Sequence, residues 1–239
     1  MKALKKSLGF CVGAVFGAIS FATYSHFEAP LKPQGFPFIE KKGFTLAYDT
    51  RAKIPFWTHE HLTVESLEKN YERKDFLFHE DTCIYQPHRS TLKDYQKSGF
   101  DRGHIVPAAD ASFSKESLDD TFCLSNICPQ NPKLNRGIWL SLERSIREIV
   151  KEEGSADVIS GPLFLSSEKE GKRFVTYEVI GSNEVAVPTH FFKVIQTSKG
   201  MWAYVIPNQE ETRDLESYRF PIDRLEKISG IKFHQERFL

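Results

Sequence analysis

The sequence predicts an α+β domain, a mixed or antiparallel central sheet with flanking helices, on three observations. Six runs concentrate or alternate β-branched and aromatic residues, at 44–48, 54–58, 158–160, 174–180, 190–196 and 201–206, with glycine and proline between them as strands require. Residues 134–152 instead carry Ile138, Leu142, Ile146, Ile149 and Val150 at helical spacing. A second helix is expected near 217–228, interrupted by Pro221. Strands gathered around one long helix give that fold class.

A chain of 239 residues, 40% hydrophobic and 13% aromatic, can fill one core. Lysine plus arginine and aspartate plus glutamate each total 32, so the formal net charge is zero. Attraction of a polyanion by bulk basicity is thereby excluded. Any nucleic-acid role must rest on a local site.

The first thirty residues differ from the rest. Lys2, Lys5 and Lys6 precede an uncharged run from Leu8 to Tyr24. A basic start followed by an apolar run reads as a secretory signal or an uncleaved N-terminal anchor, here residues 1–25. Gly9, Gly13 and Gly17 thin its hydrophobicity, which favours the signal. Residues 26–37 are then a linker, and 38–239 the globular domain. A mitochondrial presequence would be Arg-rich, whereas no arginine precedes Arg51. An extracytoplasmic location is therefore expected: periplasmic, secreted or membrane-anchored, with the mitochondrial intermembrane space as the alternative. Beyond the leader stand Cys83, Cys123 and Cys128. A Cys123–Cys128 bridge is open in an oxidising compartment.

The chemistry concentrates in two segments. In Asp101-Arg102-Gly103-His104, a glycine between arginine and histidine lets the chain turn tightly and present the imidazole with a guanidinium beside it. Phosphodiester hydrolysis needs a base for water and positive charge for the developing phosphorane; neutral histidine and permanently charged arginine suit those jobs. A structural histidine is the alternative. In the second segment, Asn135 stands at the expected start of the long helix, either as its N-cap or as an amide oxygen offered to a hard cation. Glu143 lies two turns on, leaning back toward Asn135. It either holds a metal-bound water or pairs with Arg147 at i+4.

The ordered strings His88-Arg89-Ser90-Thr91, Asp94-Tyr95, Ser98-Gly99-Phe100 and Asp101-Arg102-Gly103-His104 resemble the DNA/RNA non-specific endonucleases, most closely the endonuclease G type. The resemblance continues through Ser125-Asn126-Ile127, Pro129-Gln130, Leu134-Asn135, Trp139 and Glu143, then Ser160-Gly161-Pro162-Leu163 and residues 187–194. It implies a ββα-metal active site and cleavage of DNA and RNA without sequence choice. It also implies His104 as general base, Arg102 stabilising the transition-state phosphate and Asp101 bracing the loop. Asn135 would be the only direct protein ligand of Mg²⁺, with Mn²⁺ able to substitute, and Glu143 would act through metal-bound water. A homodimer and a membrane tether are compatible with it. A catalytically silent, membrane-tethered nucleic-acid-binding protein of the same fold is the alternative function.

Relatives often carry a further phosphate-binding arginine upstream. Arg73 and Arg89 are the candidates, and Arg136 is the third expected substrate contact. His59-Glu60-His61 reads as surface charge at a strand end, with a metal site as the alternative, His190 as a satisfied core histidine, and Lys193 as support for the sheet, with a phosphate contact as its alternative. Trp57, Trp139 and Trp202 read as packing.

Overall fold

The computed structural model describes residues 36–233. The leader expected at residues 1–25 lies outside them. Its centre is a seven-stranded sheet in the order β1-β2-β3-β6-β11-β12-β13. The strands are β1 (Phe38–Glu40), β2 (Thr45–Asp49), β3 (Ile54–Thr63), β6 (Ser155–Leu163), β11 (His190–Thr197), β12 (Gly200–Pro207) and β13 (Arg219–Phe220). Every pairing in it is antiparallel. Three two-stranded ribbons accompany it: β4 (Asp101–His104) with β5 (Ile127–Gln130), β7 (Ser167–Lys169) with β8 (Lys172–Phe174), and β9 (Val179–Ile180) with β10 (Val185–Ala186). The helices are α1 (Lys115–Thr121), α2 (Pro132–Arg136), α3 (Ile138–Glu153) and α4 (Ile222–Ser229).

Alternation along β11 sorts the two faces of the sheet. Phe191 and Ile195 join the large core with Trp139, Leu142, Ile146 and Val150 of α3. Phe192 and Val194 join Leu225 of α4 and Phe233 on the other face. The central strands pair β3 with β6 from Thr58↔Ser160 to Thr63↔Ser155. Everything between them, residues 64–154, is one excursion on the α3 side, and it contains β4, β5, α1, α2 and α3.

Five of the six expected strands form, most of them longer than the pattern suggested. The sixth, 174–180, resolves into the ends of β8 and β9. The expected helix 134–152 is two helices. Asn131 caps the first, its side chain accepting from the amides of Lys133 and Leu134, with Pro132 at the first helical position. Gly137 separates them. A Cβ there would overlap the Lys133 carbonyl oxygen, so only glycine permits the α2–α3 joint. Near the C-terminus Pro221 likewise divides the expected helix: a single 3-10 turn at Leu215–Tyr218 and β13 precede it, and α4 follows. The thiols of Cys83, Cys123 and Cys128 are free, so the pair open to bridging is not bridged.

Gly103 corrects one expectation. It makes no tight turn; it is a regular strand residue paired with Cys128, and its φ is not positive. Glycine is needed because the Gln130 side chain lies across it, where a Cβ would overlap. Gly103→Ala should cost about 1–3 kcal/mol of overpacking, measured by denaturant unfolding. Adding Gln130→Ser should restore most of that loss; no recovery would remove this account of the glycine.

Candidate active site

His104 is the last residue of β4, and its strand end is held from several sides. The Ile105 amide donates to the Asn126 backbone carbonyl at 3.0 Å. The Asn126 side chain accepts from the Val106 amide and donates to the Val106 and Thr121 carbonyls, each at 3.0 Å. The imidazole is enclosed by two rings, Phe78 and Phe122, each with its centroid 5.1 Å away. Its Nε2 is buried and meets no hydrogen-bond partner among the described residues. Burial, with the charges of Arg73 and Arg102, pushes the imidazole pKa down to about 3. The ring is therefore neutral at physiological pH.

The structure brings most of the expected residues to one cavity. A space of about 340 Å³ is lined by His104, Asn135, Glu143, Arg73, Arg136 and Arg147, together with Lys69 and Tyr71 at its rim. Asp101 lies behind them. Its carboxylate accepts from Asn135 Nδ2 at 2.9 Å and from Arg136 at 2.9 and 2.6 Å. Burial pushes this carboxyl up, but the bonds from Arg136 and Asn135 outweigh it and hold the pKa below the usual range. A carboxylate is acceptor-only, so it fixes the Asn135 amide with its NH₂ toward Asp101 and leaves Oδ1 without a partner among the described residues.

Both local alternatives for the helix residues fall away. Asn135 is not the cap, since Asn131 fills that role. Arg147 does not pair with Glu143 either; it binds the buried Asp110 at 2.7 Å. Glu143 therefore lines the cavity without an ion-pair partner among the described residues. Burial is the main cause that pushes its pKa up to about 7, with Asp110 adding to it and Lys193, Arg147 and Arg73 opposing.

Arg102 and Arg89 stand apart from this cavity. Arg102 lies over the outer face of Phe78, 4.5 Å from the ring centroid. It lines a neighbouring groove with Lys74 and Phe76, and Arg73 borders both spaces. Arg89 spends its guanidinium on the carbonyls of Ile84 and Thr82; it ties down its own loop. His59 and His61 share Asp157 at 2.9 and 3.1 Å. Glu60, between them, is not surface charge: strand alternation turns it into the core. His190 meets Thr189 Oγ1 at 3.0 Å, and Lys193 is buried beneath the site.

Sequence reasoning missed Phe78, Phe122, Lys69, Tyr71 and the pairing of Arg147. The aromatic run at residues 76–78 was the available signal for the first.

A family model described as DNA/RNA non-specific endonuclease matches residues 26–237. The chain belongs to the DNA/RNA non-specific endonuclease family. Among curated relatives, mitochondrial endonuclease G of Bos taurus is 42% identical over 201 residues, covering 81% of this chain and 67% of its own. The mitochondrial nuclease of Saccharomyces cerevisiae is 40% identical over 214 residues, covering 82% and 65%. Nuclease C1 of Cunninghamella echinulata is 40% identical over 207 residues, covering 82% of each. A crystal structure of the EndoG/EndoGI complex matches with a TM-score of 0.80 and 37% identity, over 84% of this chain and 87% of that one. This family member is accordingly a nuclease of DNA and RNA.

The raised carboxyl of Glu143 sets a pH signature. The folded state holds a proton that the unfolded chain releases near pH 4.5, so this stabilisation is full below pH 4.5 and lost as pH rises through about 7. In metal-free protein, Glu143→Gln should flatten the fall in stability between pH 5 and pH 8 by roughly 1–3 kcal/mol. Denaturant melts at the two values check it, and parallel profiles for both proteins would count against it.

Proposed function

We propose that this nuclease hydrolyses phosphodiester bonds with His104 as the base that activates water, and with a hydrated magnesium ion held by Asn135 and Glu143. One observation carries the reading: these three side chains line the same cavity. The donors also fit the ion. Asn135 Oδ1 is turned free by Asp101, and Glu143 has no ion-pair partner. Both are hard oxygen donors of the kind magnesium takes. Among the described residues no group of three His, Cys, Asp or Glu could enclose a metal; one direct ligand is compatible with an ion that keeps most of its waters. Bound there, magnesium would supply positive charge at the scissile phosphate, and manganese would serve in its place.

The protein's own contribution follows from the geometry. With Nε2 enclosed, Nδ1 is the nitrogen open to the cavity, and it takes the proton of the attacking water. Phe78 and Phe122 keep the imidazole dry and uncharged until that moment. Arg73 attracts the phosphate and, with Arg102 in the adjoining groove, offsets the charge that builds in the transition state. An anionic phosphate counters the same two arginines that depress His104, so substrate binding raises the basicity of the imidazole. Arg136, bonded to Asp101, lines the entrance as a further phosphate contact. Charges aimed at the backbone rather than at base edges suit a substrate read without sequence choice, DNA and RNA alike.

The same reading places the enzyme outside the cytoplasm, exported or tethered by its leader, with the mitochondrial intermembrane space as the alternative that the mitochondrial relatives support. A homodimer belongs to it on the family resemblance.

His104→Ala and Asn135→Ala should each lose at least about 100-fold in kcat on plasmid DNA and on RNA, with the far-UV circular dichroism of the folded protein unchanged. EDTA should abolish wild-type cleavage, and added magnesium should restore it. Full activity of His104→Ala would remove the mechanism.

A further inference from the structure

Beneath the cavity floor lies a layer of charge that the hydrolytic reading does not use. Lys193 of β11 is 1% exposed. Its ammonium donates to Ser160 Oγ of β6 at 2.8 Å and to the carbonyl of Ile105, the residue after His104, at 3.2 Å. It also stands over the ring of Trp139, at the start of α3, 5.1 Å from the centroid. With two donated bonds and one ring contact the ammonium thus reaches three elements: the central sheet, the end of β4, and the helix that carries Glu143. The charged groups around it are Glu60 of β3, Glu143 and Arg147 of α3, and Asp110 on the turn after β4. Glu60 is 2% exposed and its Oε2 has no partner among the described residues.

An ammonium in such a layer is costly, and a side chain needed only to fill space would be served by methionine or leucine. The distinctive thing this one does is grip a backbone carbonyl next to the imidazole. The Asn126 side chain holds Val106, and the Asn126 carbonyl holds the Ile105 amide; Lys193 takes the Ile105 carbonyl and ties it to the sheet. We propose that Lys193 is a positioning residue for His104, holding the end of β4 against the central sheet so that the imidazole keeps its aim into the cavity. Glu60 shares this layer: burial, with Asp110 and Glu143 adding to it, pushes its carboxyl well above the usual range, and the Lys193 ammonium opposes that shift. The inference rests on the reading of His104 as the base.

The test is Lys193→Met, which keeps the stem and removes the donors, alone and combined with Glu60→Gln, which removes the buried titratable carboxyl. In the double variant thermal stability should return toward wild type. Its kcat should stay at least 10-fold low on DNA and RNA with KM within about twofold of wild type, and the His104 ring resonances should be shifted or broadened in NMR spectra. Should Lys193→Met alone fail to fold, the double variant carries the measurement. Return of kcat together with stability would mean that Lys193 merely offsets the buried Glu60 carboxyl and would overturn the proposal. So would wild-type His104 resonances, or low stability with kcat and KM altered together. The NMR readout is independent of catalysis: an active His104→Ala enzyme would sink the base assignment, whereas an unmoved His104 ring in the double variant sinks only the positioning role.

Discussion

Asp101 accepts three hydrogen bonds, one from Asn135 and two from Arg136, and through them β4 is fixed to α2. The strand carries the imidazole and the helix carries the amide, so the relation between the two is set by a single carboxylate held ionised by its donors. That bond also decides which end of the Asn135 amide faces the cavity. The joint at Gly137 then turns the chain into α3, whose first turns bring Glu143 to the same space. Strand, short helix and long helix converge because a carboxylate fixes one junction and a missing Cβ permits the next.

Around this junction the protein separates two electrostatic environments. On one side of His104, Phe78 and Phe122 remove water, and two arginines sit near enough to disfavour a positive charge on the ring. Below it, Lys193, Glu60, Asp110 and Arg147 form a buried layer in which Arg147 and Asp110 are paired and Glu60 lacks a full set of partners. Burying so many charges is expensive, and hydrophobic residues of similar size would stabilise the fold more. Their retention beneath the cavity follows the pattern in which strain and unpaired polarity gather at functional sites.

Much of this was legible from residue pattern alone. The period-two runs located the strands of the sheet, and the helical spacing of Leu142, Ile146 and Val150 located α3. The motif strings placed His104, Asn135 and Glu143 in the order in which the fold assembles them. What the pattern hid was tertiary. Periodicity runs through Gly137 because the residues on both sides are apolar at compatible spacing, and only the close approach of the Lys133 carbonyl shows the break. Gly103 looked like a turn glycine because its partner, Gln130, is remote in sequence. Glu60 reads as exposed from its two histidine neighbours, but alternation along β3 turns it inward between them. Arg89 looked like a phosphate ligand until its guanidinium was found on its own loop's carbonyls.

The excursion that carries the cavity leaves and re-enters the sheet through neighbouring residues, Thr63 of β3 and Ser155 of β6, which face one another across a single strand spacing. Its two ends are thus pinned by the ladder whatever lies between them. Because the entropy of closing such a loop grows only with the logarithm of its length, segments of residues 64–154 away from the hairpin and helices can lengthen or shorten at little thermodynamic cost. A scaffold of this design can be refitted with new rims for differently shaped polymers while its foundation stays as it is.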